Sequence, residues 1–191
     1  MRFITKRSTS SYKVLSIVAL SVLSAGPITG CVQGAEQGGE SVVAEDDAIS
    51  RYKEEERNKK VVSQFVEEFK NKANHDIVDT LFTPDFVSHL PIPGIPPTRD
   101  GMKLVGKGIV GGFPDVHVTV EELVADHDIV VERTIARGTN TGEFNGIPAT
   151  GKELTWSELH MYRLENGKIV ELTSEINLLG IFSQLGVFPC Q

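Results

Sequence analysis

Cysteine is nearly absent: 191 residues hold only Cys31 and Cys190. Two thiols so far apart are no disulfide framework of the kind that staples small secreted domains, so stability has to come from a packed core. Bases are also in short supply, 19 against 26 acids, for a net charge of −7. That balance excludes nucleic-acid binding, which needs clustered Lys and Arg against phosphates. No His-Glu-x-x-His pair occurs, so metal-peptidase spacing is missing and no metal site is expected. No Gly-x-Ser-x-Gly elbow occurs either, which removes the usual lipase signature. Glycine-rich phosphate loops, internal repeats and alternating βαβ units are likewise missing. What remains is a chain that is 40 % apolar, enough for one globular core with appendages.

The first 30 residues read as an export signal. Arg2, Lys6, Arg7 and Lys13 precede an apolar stretch at residues 14–25, broken only by small residues. At about 12 residues it suits a signal peptide and is too short to cross a membrane. Ile28-Thr29-Gly30-Cys31 resembles a bacterial lipobox. The resemblance implies cleavage before Cys31, lipidation of its thiol, and anchoring in the cell envelope, each buried methylene contributing about 0.8 kcal/mol. Val32 after the cysteine favours the outer membrane; secretion without a lipid is the alternative. Removing residues 1–30 leaves 15 bases against 26 acids, and a lipidated Cys31 leaves Cys190 without an intrachain partner. Residues 31–56 are expected to be a flexible acidic tether, since 32–49 hold Glu36, Glu40, Glu45, Asp46 and Asp47 and no base.

From about Arg57 the pattern changes. Val61, Val62, Phe65, Val66 and Phe69 recur at helical spacing with charges between them. A short helix is expected over 76–82, a brief strand at 86–90, then a proline-stiffened loop and a third helix over 100–110. The second half alternates as strands: 116–120, 129–139, 153–164 and 168–177. Asn166-Gly167 is a type I′ hairpin signal. Residues 178–185 close the chain as an apolar helix ended by Gly186. Helices first and a strand meander after them describe an α+β fold.

These residues also resemble a family. Asn58 to Phe69, Phe86-Val87-Ser88-His89, Gly112-Phe113-Pro114-Asp115-Val116, Arg133, Gly138-Thr139-Asn140-Thr141-Gly142, Gly146-Ile147-Pro148-Ala149-Thr150-Gly151, Tyr162-Arg163, Gly167-Lys168-Ile169-Val170-Glu171 and Gln184-Leu185-Gly186 are similar, in order and spacing, to landmarks of SnoaL-like domains. The match spans residues 58–188, within a domain taken as 57–188. The resemblance implies an NTF2-like cone: a curved antiparallel sheet around N-terminal helices, with a central pocket. It also implies polyketide or ester cyclase chemistry on a small apolar carbonyl compound, with no cofactor, and a homodimer formed through the outer sheet face. A non-catalytic ligand-binding or interaction lipoprotein is the alternative.

Cofactor-free aldol or isomerase chemistry needs a group that lifts a proton from carbon beside a carbonyl. The resemblance puts the family's catalytic Asp at Asn177, counted back from Gln184, and an amide cannot take that proton. Thr173, Glu175 and Asn177 share one face by period-two alternation, so a pocket that receives Asn177 also receives Glu175. Glu158 and His160 lie on the neighbouring strand, and Trp156 and Tyr162 share the face of His160. His89 matches a family histidine at the pocket mouth, and Thr173 stands where the family often carries Trp. The expected acid/base and orienting groups are therefore Glu175, His160 and His89. Asn177, Glu158, Trp156, Tyr162, Arg133 and Thr173 are the expected substrate contacts. The alternative is that these carboxylates pair with Arg133, Arg137 or Arg163, or face solvent. His75, His117 and His127 read as surface residues.

Overall fold

A computed structural model describes residues 38–187 apart from Pro91. The segment expected to be a signal peptide, Cys31, the start of the expected tether and Cys190 lie outside the described residues. The elements are α1 (Gly38–Phe65), continued by a π-helical turn at Val66–Asn71, a 3₁₀ turn at His75–Ile77 and α2 (Val78–Leu81). Then come β1 (Phe82–Ser88), α3 (Arg99–Gly112), β2 (His117–Asp126), β3 (Ile129–Thr139), β4 (Glu153–Glu165), β5 (Lys168–Ile176) and α4 (Leu178–Leu185). This is the expected α+β class.

The segment expected to be a flexible tether is helical from Gly38 onward. Ala, Glu, Lys and Arg are strong helix formers, and no Gly or Pro interrupts residues 40–65. The helix-nucleation cost is met where α1 docks, so the exposed half only has to propagate. Docking begins at buried Asn58, whose Nδ2 donates to the His127 carbonyl at 3.1 Å. Before it, residues 45–54 are all exposed.

The sheet order is β1-β5-β4-β3-β2, with β1 parallel to β5 and the other pairs antiparallel. Pro84 is tolerated because β1 is an edge strand. The β4–β5 hairpin turns through Asn166 and Gly167 at φ +50° and +74°, the left-handed pair that a type I′ turn requires. Gly186, at φ +92°, ends α4.

One irregularity reverses an expectation. In the β4–β5 ladder Leu164 pairs with Ile169 but Arg163 pairs with Glu171, so β5 carries one extra residue. Such a bulge flips every later side chain to the other face. Ile169 points inward, and after the bulge so do Leu172 and Ser174. Thr173, Glu175 and Asn177 do share a face, but it is the outer one.

The interior holds two apolar clusters. One gathers Val62, Phe65, Phe69, Phe82, Val130, Tyr162 and Leu172 among others. The second gathers Phe113, Ala136, Leu154, Trp156 and Ile181 among others. Between them, in adjacent register rows, run Glu132, His160 and Ser174, then Thr134 and Glu158. All five are buried. A polar belt thus crosses three strands between two oily cores.

Candidate active site

Charged residues are almost never fully buried unless paired, and every ionisable member of this belt is. Lys70 reaches the belt from the helical side. Its Nζ lies 3.0 Å from Glu132 Oε1 and 3.2 Å from Glu158 Oε2. Lys70 stands four residues after buried Val66 and next to buried Phe69, within the π-helical turn, so its side chain leaves the helix on the inward side.

Each carboxylate oxygen in the belt has a donor. Tyr162 donates its hydroxyl to Glu132 Oε2 at 2.6 Å, and Trp156 Nε1 donates to Glu158 Oε1 at 2.8 Å. His160 Nε2 lies 2.9 Å from Glu158 Oε2, and His160 Nδ1 lies 2.8 Å from Ser174 Oγ. Burial opposes charge on Glu158, but Lys70, His160 and Trp156 together outweigh it and hold the carboxyl well below its usual range. Burial likewise opposes charge on Lys70, yet the two carboxylates keep its pKa raised. Desolvation and Glu132 push the Tyr162 phenol far up, so it remains a neutral donor.

Beside the belt lies a cavity of about 50 Å³, walled by Phe65, Phe69 and Lys70 from the first helix, Met102 and Ile109 from α3, and the belt residues of β4 and β5. Pockets for drug-sized ligands run to about 300–1,000 Å³, so the hollow as it stands accepts a compact molecule or one end of a larger one. His75, expected at the surface, lines it. Its Nε2 is buried with no hydrogen-bond partner, and desolvation, assisted by Lys107, lowers its pKa.

Of the residues singled out from sequence, Trp156, Glu158, His160 and Tyr162 converge on this cavity. The others do not. Glu175 is exposed and pairs across from Leu159 on the outer face. Thr173 is opposite Met161 on that same face. Arg133 is exposed and ion-paired with Glu121. Asn177 is exposed and caps α4, accepting from Gly180 N at 2.9 Å. His89 is exposed just beyond β1, where its backbone N–H donates to the Leu172 carbonyl at 2.7 Å. The arginine pairing expected as an alternative is absent from the belt: Arg163 pairs with Asp128 and Glu171 instead, and Lys70 is the cation.

Lys70, Glu132, Ser174 and His75 were missed. Lys70 reads as one of the charges between the apolar positions of a helix, although it stands four residues after Val66, which is buried. Glu132 had a signal, since it shares parity with Val130, Thr134 and Ala136. Apolar residues on both faces of β3 hide which side is inside. Among the described residues one trio, Glu55, Asp126 and His127, brings three ligand atoms within 4.8 Å of one another. It is a surface group, already drawn together by hydrogen bonds from His127 N to Glu55 and between His127 Nδ1 and Asp126.

The family model for SnoaL-like polyketide cyclase matches residues 60–185. Among solved structures, IdmH from Streptomyces antibioticus, a candidate polyketide cyclase, is 32 % identical, with a TM-score of 0.60 over 68 % of this chain and 98 % of that one. AclR from Streptomyces galilaeus, a candidate hydroxylase, is 26 % identical, with a TM-score of 0.61 over 69 % and 97 %. A candidate SnoaL-like polyketide cyclase from Jannaschia sp. CCS1 shares the fold at 21 % identity, with a TM-score of 0.64 over 71 % and 96 %. Curated proteins offer no match. With the fold, the pocket and the match over most of its globular part, the chain belongs to the SnoaL-like polyketide cyclase family.

Proposed function

We propose that the protein carries out cofactor-free acid/base chemistry, an aldol cyclisation or isomerisation, on a small apolar carbonyl compound, with His160 as the group that moves the proton. The observation that carries this reading is the position of His160, buried at the wall of an apolar cavity between Glu158 and Ser174. Relatives with this fold are described as both a cyclase and a hydroxylase, so likeness alone does not choose a reaction. The chemistry of the belt supports proton transfer at His160. Glu132 and Glu158 have every oxygen engaged and Glu158 is held ionised, which makes them poor bases. In its neutral form the His160 ring gives its Nε2–H to Glu158 and keeps a lone pair at Nδ1, which suits proton abstraction beside a carbonyl. Glu158 orients that ring.

The test is exchange of α-hydrogens of cyclohexanone in D₂O, followed by NMR with the full chain present. His160→Gln is expected to lower the protein-dependent rate by about 10²–10⁴-fold; an undiminished rate would remove His160 from the mechanism. A second reading, a pocket that binds without turnover, is favoured by Asn177 at the position of the family acid and by its role as a helix cap. It gains if the wild-type chain itself gives no exchange while native mass spectrometry shows a co-purified small molecule.

A further inference from the structure

We propose that Ser174 is a nucleophile and that this cavity transfers or hydrolyses short acyl groups, carried as esters or thioesters, through a Ser174–His160–Glu158 relay. The idea uses the same histidine as the reading above but asks something different of it: to activate an oxygen within the protein, where the other reading has it take a proton from carbon.

Three groups in line are needed for such a relay: a hydroxyl, a base within about 2.6–3.2 Å of it, and a third group that orients the base. Ser174 Oγ lies 2.8 Å from His160 Nδ1, and His160 Nε2 lies 2.9 Å from Glu158 Oε2. The direction of the hydrogen bond to Glu158 follows from the partners. Glu158 is an acceptor at both oxygens, receiving Trp156 Nε1–H at one and Lys70 at the other. It can therefore only accept from His160, which sets an N–H at Nε2. When the ring carries no second proton, Nδ1 offers its lone pair and the Ser174 hydroxyl donates to it. A serine hydroxyl that donates a hydrogen bond to a carboxylate-oriented imidazole is the ground state of a serine nucleophile. The relay is recognised by geometry and not by a motif, which is why the missing Gly-x-Ser-x-Gly elbow does not exclude it.

The surroundings fit. Cross-strand pairing sets Ser174 directly opposite His160, on rigid sheet and not on a loop. Ser174 is 6 % exposed, and the surface it does present lines the cavity. On the same cavity, from the helical side, His75 offers a buried Nε2 without a partner. A neutral imidazole with its proton there would donate to the carbonyl oxygen as negative charge develops, the duty of an oxyanion donor. A hollow of about 50 Å³ limits the acyl group to a few carbons.

In the reaction, Ser174 Oγ forms a bond to the acyl carbon while its proton passes to His160 Nδ1. The bond from that carbon to the alcohol oxygen or thiol sulfur then breaks, and the departing group takes the proton back from Nδ1. Water, deprotonated by the same nitrogen, attacks the acyl-serine. The carboxylic acid leaves and Ser174 regains its hydrogen.

The experiment exposes the full chain to p-nitrophenyl acetate, following nitrophenolate release and mapping acetylated peptides by mass spectrometry. The expected result is a burst of nitrophenolate with one acetyl group on the peptide carrying Ser174. Ser174→Ala abolishes that acetylation, His160→Gln slows it by about 10²–10⁴-fold, and Ser174→Cys restores it as a thioester. Circular dichroism confirms that each variant folds. Acetyl groups only on lysines or other residues, or nitrophenolate release as fast in Ser174→Ala as in wild type, would overturn the proposal. Ketone exchange separates the two readings. If exchange depends on His160 while Ser174 is never acylated, the nucleophile is rejected and the carbon-acid chemistry stands. If Ser174 is acylated without ketone exchange, the outcome is the reverse.

Discussion

Lys70 stands between two buried carboxylates, and its own charge and that of Glu158 depend on that arrangement. Replacing it with Met leaves the buried Glu132 and Glu158 without their cation. Breaking a buried pair by removing one partner costs about 3–5 kcal/mol, and urea denaturation of Lys70→Met at neutral pH should show a loss of that size. The same groups set the pH limits of the fold. Glu158 has a folded pKa below its ordinary 4.5, so the folded chain binds fewer protons than the unfolded one. Its contribution is complete above that value and is lost as pH falls toward the folded pKa. Lys70 and Tyr162 are raised above their ordinary 10.5 and 10.0. Their contribution is complete below those values and declines as pH rises through them. Unfolding free energy measured across the pH range should therefore be level between about 5 and 10, as far as this cluster is concerned, and fall at both ends. A chain whose stability rises on acidification below 4 would contradict the charge assignment.

At the level of elements, much of the fold was legible. The long alternating run predicted β3 at 129–139, where it lies, and Gly186 marked the end of α4. Asn166-Gly167 announced the final hairpin. Period and turn chemistry carry that information because they depend on neighbours in sequence. The belt was half legible: Trp156, Glu158, His160 and Tyr162 share one parity on β4, and that parity survived folding. A one-residue irregularity spoiled part of the rest. The extra residue in β5 sent Glu175 outward and Ser174 inward, and it leaves no mark in hydrophobic periodicity. Lys70 was hidden by its charge, although it follows buried Val66 by four residues. The approach of α3 to the first helix was equally hidden, since it depends on what Gly106 lacks. A Cβ on Gly106 would lie 2.5 Å from the His75 ring and 2.7 Å from Phe69. Gly106→Ala should therefore push α3 off the cavity and cost about 1–3 kcal/mol, as overpacking does. A thermal melt of the variant checks it, and an unchanged midpoint would mean that the helix is not seated as closely as these contacts require.

For the molecule as a whole, the outer face of the sheet is the surface left to explain. Val124 is 60 % exposed, Leu159 46 % and Met161 43 %. Val124 pairs with Val131, and Val131 pairs with Met161, so these residues form a continuous apolar row across three strands. Ion pairs of Arg133 with Glu121 and of Arg163 with Asp128 and Glu171 flank it. An apolar centre with a charged rim is the composition of a protein interface, and a two-fold dimer would bring the row against its own copy. The homodimer implied by family resemblance is therefore proposed to use this face. Light scattering coupled to size exclusion should give twice the chain mass for the wild type. Met161→Glu, which sets two like charges into the centre of the contact, should give a single chain mass. Because Met161 is nearly half exposed within one chain, the variant should fold and retain any activity that resides wholly in the cavity. A wild-type chain that stays single at tens of micromolar would end the proposal, and the exposed row would then need another partner.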